Sequence, residues 1–416
     1  MDRRTFLERS AALAGPALLL SPGLTGCAAR LRQQSAAPSP PPTLPFYDAP
    51  GPILPIRADL DRIFRITVCL RPFRAAGPRL EMERVGDKLV AHNYGHGGSG
   101  WSLSWGSADL MVRRALEALP GTRECAVLGC GALGLTAALT AQRLGMQATI
   151  YARERPPYVR SARATGSWTP DSRVALTSAA APGFAAEWER MARTSFAMYQ
   201  SYLGAAGTPI EWTDRYVLRD KPEHGPAAAA GARNQNSHEF ASYEDRIDDL
   251  TPGSQEMPPG STPFPTRVVR RTSSLTFNVA SYSRQLVEEF QVAGGRIETR
   301  EFHSPAELAG LPQRLILNCT GYGARALWSD ESVVPVRGQI AWLIPQEGVH
   351  YGLAYKGLNV LARRDGIVIQ PSPQGDETGW NDTNEEPDRA EAEAGVRILQ
   401  ELYSRMAAPG RPSAAG

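Results

Sequence analysis

The residue types and spacing that can do chemistry begin with three glycines in a turn. From Glu124 to Glu154 the chain reads ECAVLGCGALGLTAALTAQRLGMQATIYARE, an apolar strand, a glycine turn, an alanine-rich helix ended by Gly145 and a second strand. Gly129, Gly131 and Gly134 give GxGxxG where strand turns into helix. One glycine serves the tight turn, one lets backbone approach a pyrophosphate and one allows close helix packing. The cradle expected from this run is Gly129, Cys130, Gly131, Ala132, Leu133 and Gly134, with the helix N-terminus facing the phosphates. Arg153 and Glu154 end the second strand, and Glu154 stands twenty residues beyond Gly134, where a carboxylate accepts hydrogen bonds from a ribose. The spacing predicts a dinucleotide and leaves flavin and nicotinamide open, because both share the pyrophosphate geometry.

A second glycine-rich run lies upstream. In LVAHNYGHGGSGWSLSWGSA, Leu89 to Ala108, glycines 95, 97, 98, 100 and 106 are interleaved with aromatic residues and lead into a helix. Glycines admit close approach and unusual backbone angles, and a helix N-terminus stabilises negative charge on a nearby ring. His92-Asn93-Tyr94-Gly95-His96-Gly97-Gly98-Ser99-Gly100, followed by Trp105-Gly106-Ser107-Ala108, resembles the signature of the D-amino-acid oxidases.

That resemblance implies FAD as cofactor, with Gly97, Gly98, Ser99, Gly100, Trp101 and Ser102 beside it. It implies that Arg71, in Cys69-Leu70-Arg71-Pro72-Phe73-Arg74, clamps the substrate carboxylate, work for which the paired donors of a guanidinium are suited; a surface ion pair is the alternative for this arginine. Thr165-Gly166-Ser167-Trp168-Thr169-Pro170 resembles the segment at the flavin edge, placing Gly166 and Ser167 on the cofactor and Thr169, with Gly98, on the substrate. Leu317-Asn318-Cys319-Thr320-Gly321 resembles the strand that closes on the cofactor, bringing Thr320; Phe302 joins the same set. Around Tyr355-Lys356-Gly357-Leu358-Asn359, the resemblance puts Tyr355 at a lid-side tyrosine and Asn359 where the family carries a second carboxylate-binding tyrosine. Arg71, Tyr355 and Asn359 are thus the implied catalytic set. His92 and His96 read as structural or cofactor-adjacent residues, not bases.

The implied reaction is oxidation of a D-amino acid to an imino acid and then a 2-oxo acid, with O2 as acceptor. The alternatives are a flavin dehydrogenase, an amine or imino-acid oxidase using another acceptor, and a flavin-binding lipoprotein without catalysis. The order of segments departs from the family, in which the GxGxxG comes first and the HNYGHGG loop near the end. Such an order is expected of a circular permutation, joined here by a helix from about 108 to 119 and a Pro120-Gly121 turn.

These residues need two kinds of scaffold. The expected fold is α/β, a Rossmann-like FAD-binding domain with a parallel sheet (80–176 and 268–325) beside an antiparallel-sheet substrate domain (56–79, 177–267 and 326–408). With 416 residues, 42% hydrophobic, the chain suffices for one large core or two smaller ones. Its net charge of +2, both signs interspersed, gives no footprint for nucleic acid and favours a small-molecule partner. Five cysteines without a CxxC pair predict no structural metal. Association as a homodimer is left open.

The first 27 residues read as an export signal. Arg3 and Arg4 before Phe6 and Leu7, with an apolar stretch from Ala11 to Leu20, resemble the twin-arginine type. Leu24-Thr25-Gly26-Cys27 resembles a bacterial lipobox, which implies lipidation of Cys27, a membrane contact through that lipid alone, and a periplasmic, anchored protein. Residues 28–55 are proline-rich and suit an extended spacer, and 409–416 a tail.

Overall fold

Short, nearly uninterrupted apolar runs are what a strand buried on both faces requires, and this chain supplies several. A computed structural model describes residues 53–221 and 238–406. The strands β1 (Ile63–Phe73), β2 (Met82–Val85), β3 (Lys88–His92), β4 (Glu124–Leu128), β5 (Gln147–Ala152), β6 (Ile210–Arg219), β7 (Gln255–Glu256), β8 (Val268–Phe277), β9 (Arg296–Thr299), β10 (Leu315–Asn318), β11 (Val334–Leu343), β12 (Tyr351–Tyr355), β13 (Leu358–Arg363) and β14 (Gly366–Pro371) form two sheets.

The six-stranded sheet runs β2-β3-β10-β4-β5-β9, parallel throughout except at β2. Helix α1 (Gly100–Ala118) packs on α2 (Ala132–Arg143), and α3 (Phe184–Gln200) on α1. A Cβ on Gly106 would lie 2.1 Å from the Met191 carbonyl, so glycine is what lets α3 approach α1. Helix α4 (Val279–Val292) also packs on α2.

The eight-stranded sheet runs β1-β11-β14-β13-β12-β6-β8-β7 and is antiparallel except where β12 meets β6. Helix α6 (Arg389–Ser404) covers one face of it over Val396, Leu399 and Leu402, while the short α5 (Ala324–Leu327) packs through Leu327 against the six-stranded sheet. The other face faces a cavity.

Three features differ from the expectation. Strand β8, expected with the cofactor domain, pairs with β6 over ten residues of the antiparallel sheet, from Ile210↔Phe277 to Arg219↔Val268. Helix α3, inside the stretch expected to belong to the substrate domain, packs on the cofactor-domain helix α1. The folded part starts slightly before Ile56: Ile56 is buried, and the Tyr351 hydroxyl donates to the Leu54 carbonyl at 2.7 Å. The signal, Cys27, most of the spacer and the 409–416 tail lie outside the described residues. Among the described residues no helix is long and apolar enough to cross a membrane.

Candidate active site

The GxGxxG turn sits where strand β4 gives way to α2. Gly129 takes φ +100, and a Cβ on Gly134 would lie 2.0 Å from the Gly129 carbonyl, so the third glycine holds helix against turn. The Ala132 amide at the start of α2 donates to Ser161 Oγ at 3.0 Å. Glu154 lies two residues past the end of β5, beside Arg153, which pairs with Glu301 at 2.9 Å.

The second glycine run is fixed from two sides. The Gly97 amide donates to the Pro72 carbonyl at 2.8 Å and the Gly98 amide to the Ser172 carbonyl at 2.9 Å. Phe73 and His96 form an isolated antiparallel bridge. The loop is thereby stitched to β1, the strand that carries Arg71. Ser99 Oγ donates to the Ser172 carbonyl, and Ser102 Oγ accepts the Thr169 amide at 2.9 Å.

Both glycine runs open on one cavity of about 1280 Å³, larger than the roughly 300–1,000 Å³ of ordinary ligand sites and roomy enough for a dinucleotide with a small substrate. Gly129, Cys130, Gly131, Ala132, Leu133, Arg153, Glu154, Gly166, Ser167, Phe302, Thr320, Gly97, Gly98, Gly100 and Trp101 line it, as do Arg71, Thr169 and Asn359. Four of the expected residues do not. Gly134, Ser99 and Ser102 stand behind the wall, in the contacts just described. Tyr355 is a correction to the expectation: it faces the α6 side of the sheet, where its hydroxyl donates to Asp220 at 3.0 Å and accepts from Arg405 at 2.6 Å. The two-residue alternation of a strand sets this, since Tyr355 cannot share a face with cavity-side residues of β12 such as Ala354 and also fill the core under α6.

Arg71 reaches in from β1. Its guanidinium donates to the carbonyls of Val336 at 3.4 Å and Arg337 at 3.2 Å, and Gly338, two residues along β11 from its register partner Val336, leaves it room, since a Cβ there would stand 2.3 Å from an Arg71 nitrogen. Burial, and then the nearby charge of Arg173, push its pKa down to about 10, so it is a cation at neutral pH. Asn359 on β13 stands opposite Gln370, whose side-chain oxygen accepts from Thr165 Oγ1 at 2.5 Å.

The cavity wall also offers buried polar atoms with no partner. Among the described residues, Ser167 Oγ and both ring nitrogens of His96 are buried and have no hydrogen-bond partner. Burial pushes the His96 imidazole down to about 3, which keeps it neutral. His92 is held otherwise: Asn318 Nδ2 donates to Nδ1 at 2.9 Å, which puts the ring proton on Nε2 facing Glu83 at 2.9 Å. Neither histidine is arranged as a base. Cys125, Cys130 and Cys319 are buried and unbridged, and burial pushes the first two thiols to about 12, the state of small hydrophobes.

Sequence reasoning missed several wall residues. Arg173 has φ +51, a conformation no sequence pattern announces, and pairs with Asp376 at 3.0 Å. Ser161 sits in a 3-10 turn, Arg160–Arg163, that no motif marks, Asp171 lies shortly before the stretch 177–267, and Arg215 falls inside that stretch, which carries no readable motif. The run Asp171-Ser172-Arg173, one residue beyond Thr169-Pro170, was the available signal.

The profile of the family described as FAD-dependent oxidoreductase matches residues 124–415. The chain belongs to this family. It is 28% identical over 292 residues to a D-amino-acid oxidase of Rubrobacter xylanophilus, covering 67% of this chain and 77% of that protein. It is 27% identical over 233 residues to a D-amino-acid oxidase of Streptomyces coelicolor, covering 55% of this chain and 61% of that protein. Among solved structures, the iminodiacetate oxidase of Chelativorans sp. BNC1 aligns over 68% of this chain and 79% of its own with 15% identity and a TM-score of 0.45.

FAD is the cofactor, and the residues present suit it. The close-packed glycines at 129 and 131 leave backbone open to a pyrophosphate, and the unpaired Ser167 and His96 offer polar atoms to a ring.

Proposed function

We propose that this protein oxidises D-amino acids to imino acids, which water hydrolyses to 2-oxo acids. The observation that carries the reading is that Arg71, a half-buried guanidinium with no carboxylate partner among the described residues, lines the same cavity as the dinucleotide turn. FAD held along the Gly129–Gly134 turn would supply the redox chemistry, a hydride acceptor for the α-hydrogen with O2 as the final two-electron acceptor.

The chain's own groups bind and orient. Arg71 takes the substrate carboxylate through paired N–H donors. The Asn359 amide is a second donor on the same sheet face, shorter in reach than the tyrosine of the resemblance. Gly98 and Thr169 line the same cavity as Arg71 and would bound the substrate, and no protein base is needed. Binding and orientation of this kind supply much of a barrier's reduction.

The test is an anaerobic visible spectrum of the purified holoprotein with a panel of D- and L-amino acids. Bleaching by D-isomers alone, lost in Arg71→Ala, supports the reading; a flavin band that no amino acid changes refutes it. Peroxide formed on re-aeration separates an oxidase from a dehydrogenase.

Two further proposals concern the whole chain. Its segment order is a circular permutation, a reading supported by β1 pairing with β11 along its length and by β3 pairing with β10 inside the cofactor sheet. A gene with residues 56–119 moved behind residue 406 should then give soluble yellow protein, and a colourless aggregate would count against it. Export with a lipid on Cys27 rests on the sequence alone, and Cys27→Ser should release the protein from bacterial membranes.

A further inference from the structure

Trp101 lines the cavity at the start of α1, and behind it a string of aromatic rings runs outward between the helices. Its indole Nε1 donates to the Ser161 carbonyl at 2.8 Å, and Ser161 Oγ accepts the amide that opens α2 at 3.0 Å, so this residue is tied to the dinucleotide turn. The Tyr282 ring of α4 follows, with 5.4 Å between centroids. Its hydroxyl accepts from Trp105 Nε1 at 2.7 Å, and Trp105 lies one helical turn beyond Trp101. Tyr202, just past α3, completes the string, its ring 5.1 Å from that of Tyr282 and stacked at 6.3 Å from that of Trp105. These are the separations of aromatic rings in contact.

The string begins at the cavity and ends at charge and solvent. All four rings are buried. The Tyr202 hydroxyl donates to Glu289 at 2.9 Å, and the Arg143 guanidinium lies 4.5 Å from the centre of the Trp105 ring. Both of these charged side chains are partly exposed. Phenylalanine would serve for packing alone. Two indoles and two phenols add a property that phenylalanine lacks, because they give up an electron far more readily. A phenol that does so also sheds its proton, and Glu289 is in place to take it from Tyr202. Burial, and then the charge of Glu289, push the Tyr202 pKa up, so the phenol keeps its proton until it is oxidised.

We propose that Trp101, Trp105 and Tyr202 relay single electrons from the protein surface to the FAD cavity, with the Tyr282 ring bridging the two indoles. The relay discharges a one-electron oxidant in the cavity, the light-excited flavin. Trp101 gives that oxidant one electron and is refilled from Trp105, which is refilled from Tyr202. Arg143 against the Trp105 face repels a positive charge on that ring, so the vacancy moves on. Tyr202 ends as a neutral radical with its proton on Glu289. A one-electron reductant from solution, such as ascorbate, returns the electron, and Glu289 returns the proton. The inference needs FAD in the cavity and does not depend on which substrate the enzyme oxidises.

The test is flash photolysis of the holoprotein without amino acid and without O2, read by transient absorption and by electron paramagnetic resonance of freeze-trapped samples. In the native protein an early indole radical should give way to a long-lived phenoxyl radical, and more slowly in D2O, because a proton moves to Glu289. Tyr202→Phe and Trp105→Phe should each lose the long-lived radical, leaving an indole signal that decays by return of the electron. Trp212→Phe should keep it: Trp212 is the exposed end of a neighbouring string through Phe196 to Trp168, at 6.2 and 5.3 Å. A native protein without a long-lived radical, a phenoxyl signal that survives Tyr202→Phe, or one that is lost in Trp212→Phe overturns the inference. Should Tyr202→Phe not hold flavin, Glu289→Gln at the partly exposed end carries the test. It should also lose the long-lived radical, and a native signal in that variant overturns the relay.

Discussion

The Gly97 amide donates to the Pro72 carbonyl at 2.8 Å, and through that bond the glycine loop is fixed to the residue next to Arg71. The bond exists because Gly97 takes φ +56, and a Cβ at that point would lie 1.9 Å from the Arg173 carbonyl. Gly97→Ala therefore adds both a left-handed strain and a backbone collision, about 3 kcal/mol or more together. The expected outcome is a lowered melting temperature and protein purified with little flavin. An alanine variant with full flavin content and an unchanged melt would show that the loop can leave β1 without consequence.

The contact between Gly134 and Gly129 makes a parallel case at the phosphate end. Replacing Gly134 by valine pushes α2 off the turn, because the nearest obstacle to its Cβ is a carbonyl at 2.0 Å and not a movable side-chain tip. The variant should be colourless and less stable. Absorbance at the flavin band per mole of protein measures it directly, and a yellow Gly134→Val protein would contradict the packing role.

Arg71→Lys tests geometry at constant charge. A lysine keeps a cation in the cavity but gives up the fork that matches a carboxylate, so binding of a monocarboxylate such as benzoate should weaken by roughly 10- to 100-fold. In the native protein the same binding should fall as pH rises through about 10, where burial has brought the guanidinium's pKa. Affinity that is flat to the limit of the fold's alkaline stability would show that the carboxylate sits elsewhere.

How much of this was legible beforehand depends on whether a residue's role is carried by backbone or by side-chain direction. Gly129, Gly131 and Gly134 were readable because a turn of that shape tolerates little else, and the parallel sheet followed from apolar runs such as Glu124–Leu128. The loop from His92 to Gly100 was readable through its resemblance. Tyr355 was misplaced because sequence similarity at a hairpin fixes the strand but not its two-residue phase. Arg215 was invisible because a charged residue in IEWTDRYVLR looks solvent-facing until the sheet order puts β6 between β12 and β8. The place of β8 was unreadable for a related reason: its partner β6 lies 49 residues earlier, from Arg219 to Val268.

Asp171 should make the fold sensitive to mild acid in an unusual direction. Burial first, and then the charge of Glu244, push its carboxyl well above the usual aspartate range, to about 6. The folded protein thus holds this proton more tightly than the unfolded chain does. Its contribution to stability is present below pH ~4 and is lost as pH rises toward about 6, by up to about 3 kcal/mol. Asp171→Asn should be more stable than the native protein at pH 7 and should lose this part of the pH dependence. Urea unfolding of both at pH 5 and pH 7 measures the difference; parallel pH profiles would mean that the carboxyl titrates normally.

Tyr355 offers the sharpest separation between resemblance and geometry. By resemblance it belongs to the substrate's lid, and its removal should slow the reaction. By position its hydroxyl joins Asp220 and Arg405 on the far side of the sheet, where it ties β12 to the end of α6. Tyr355→Phe deletes two hydrogen bonds to charged groups at a partly exposed site, a loss of about 1–2 kcal/mol. The melting temperature should drop by several degrees while the rate of anaerobic flavin reduction stays within about twofold of the native value. Asn359→Ala, on the cavity face of the neighbouring strand, should do the reverse, weakening carboxylate binding with little effect on the melt. A Tyr355→Phe protein with native stability and slowed flavin reduction would return the hydroxyl to the substrate and require β12 to turn over in the working enzyme.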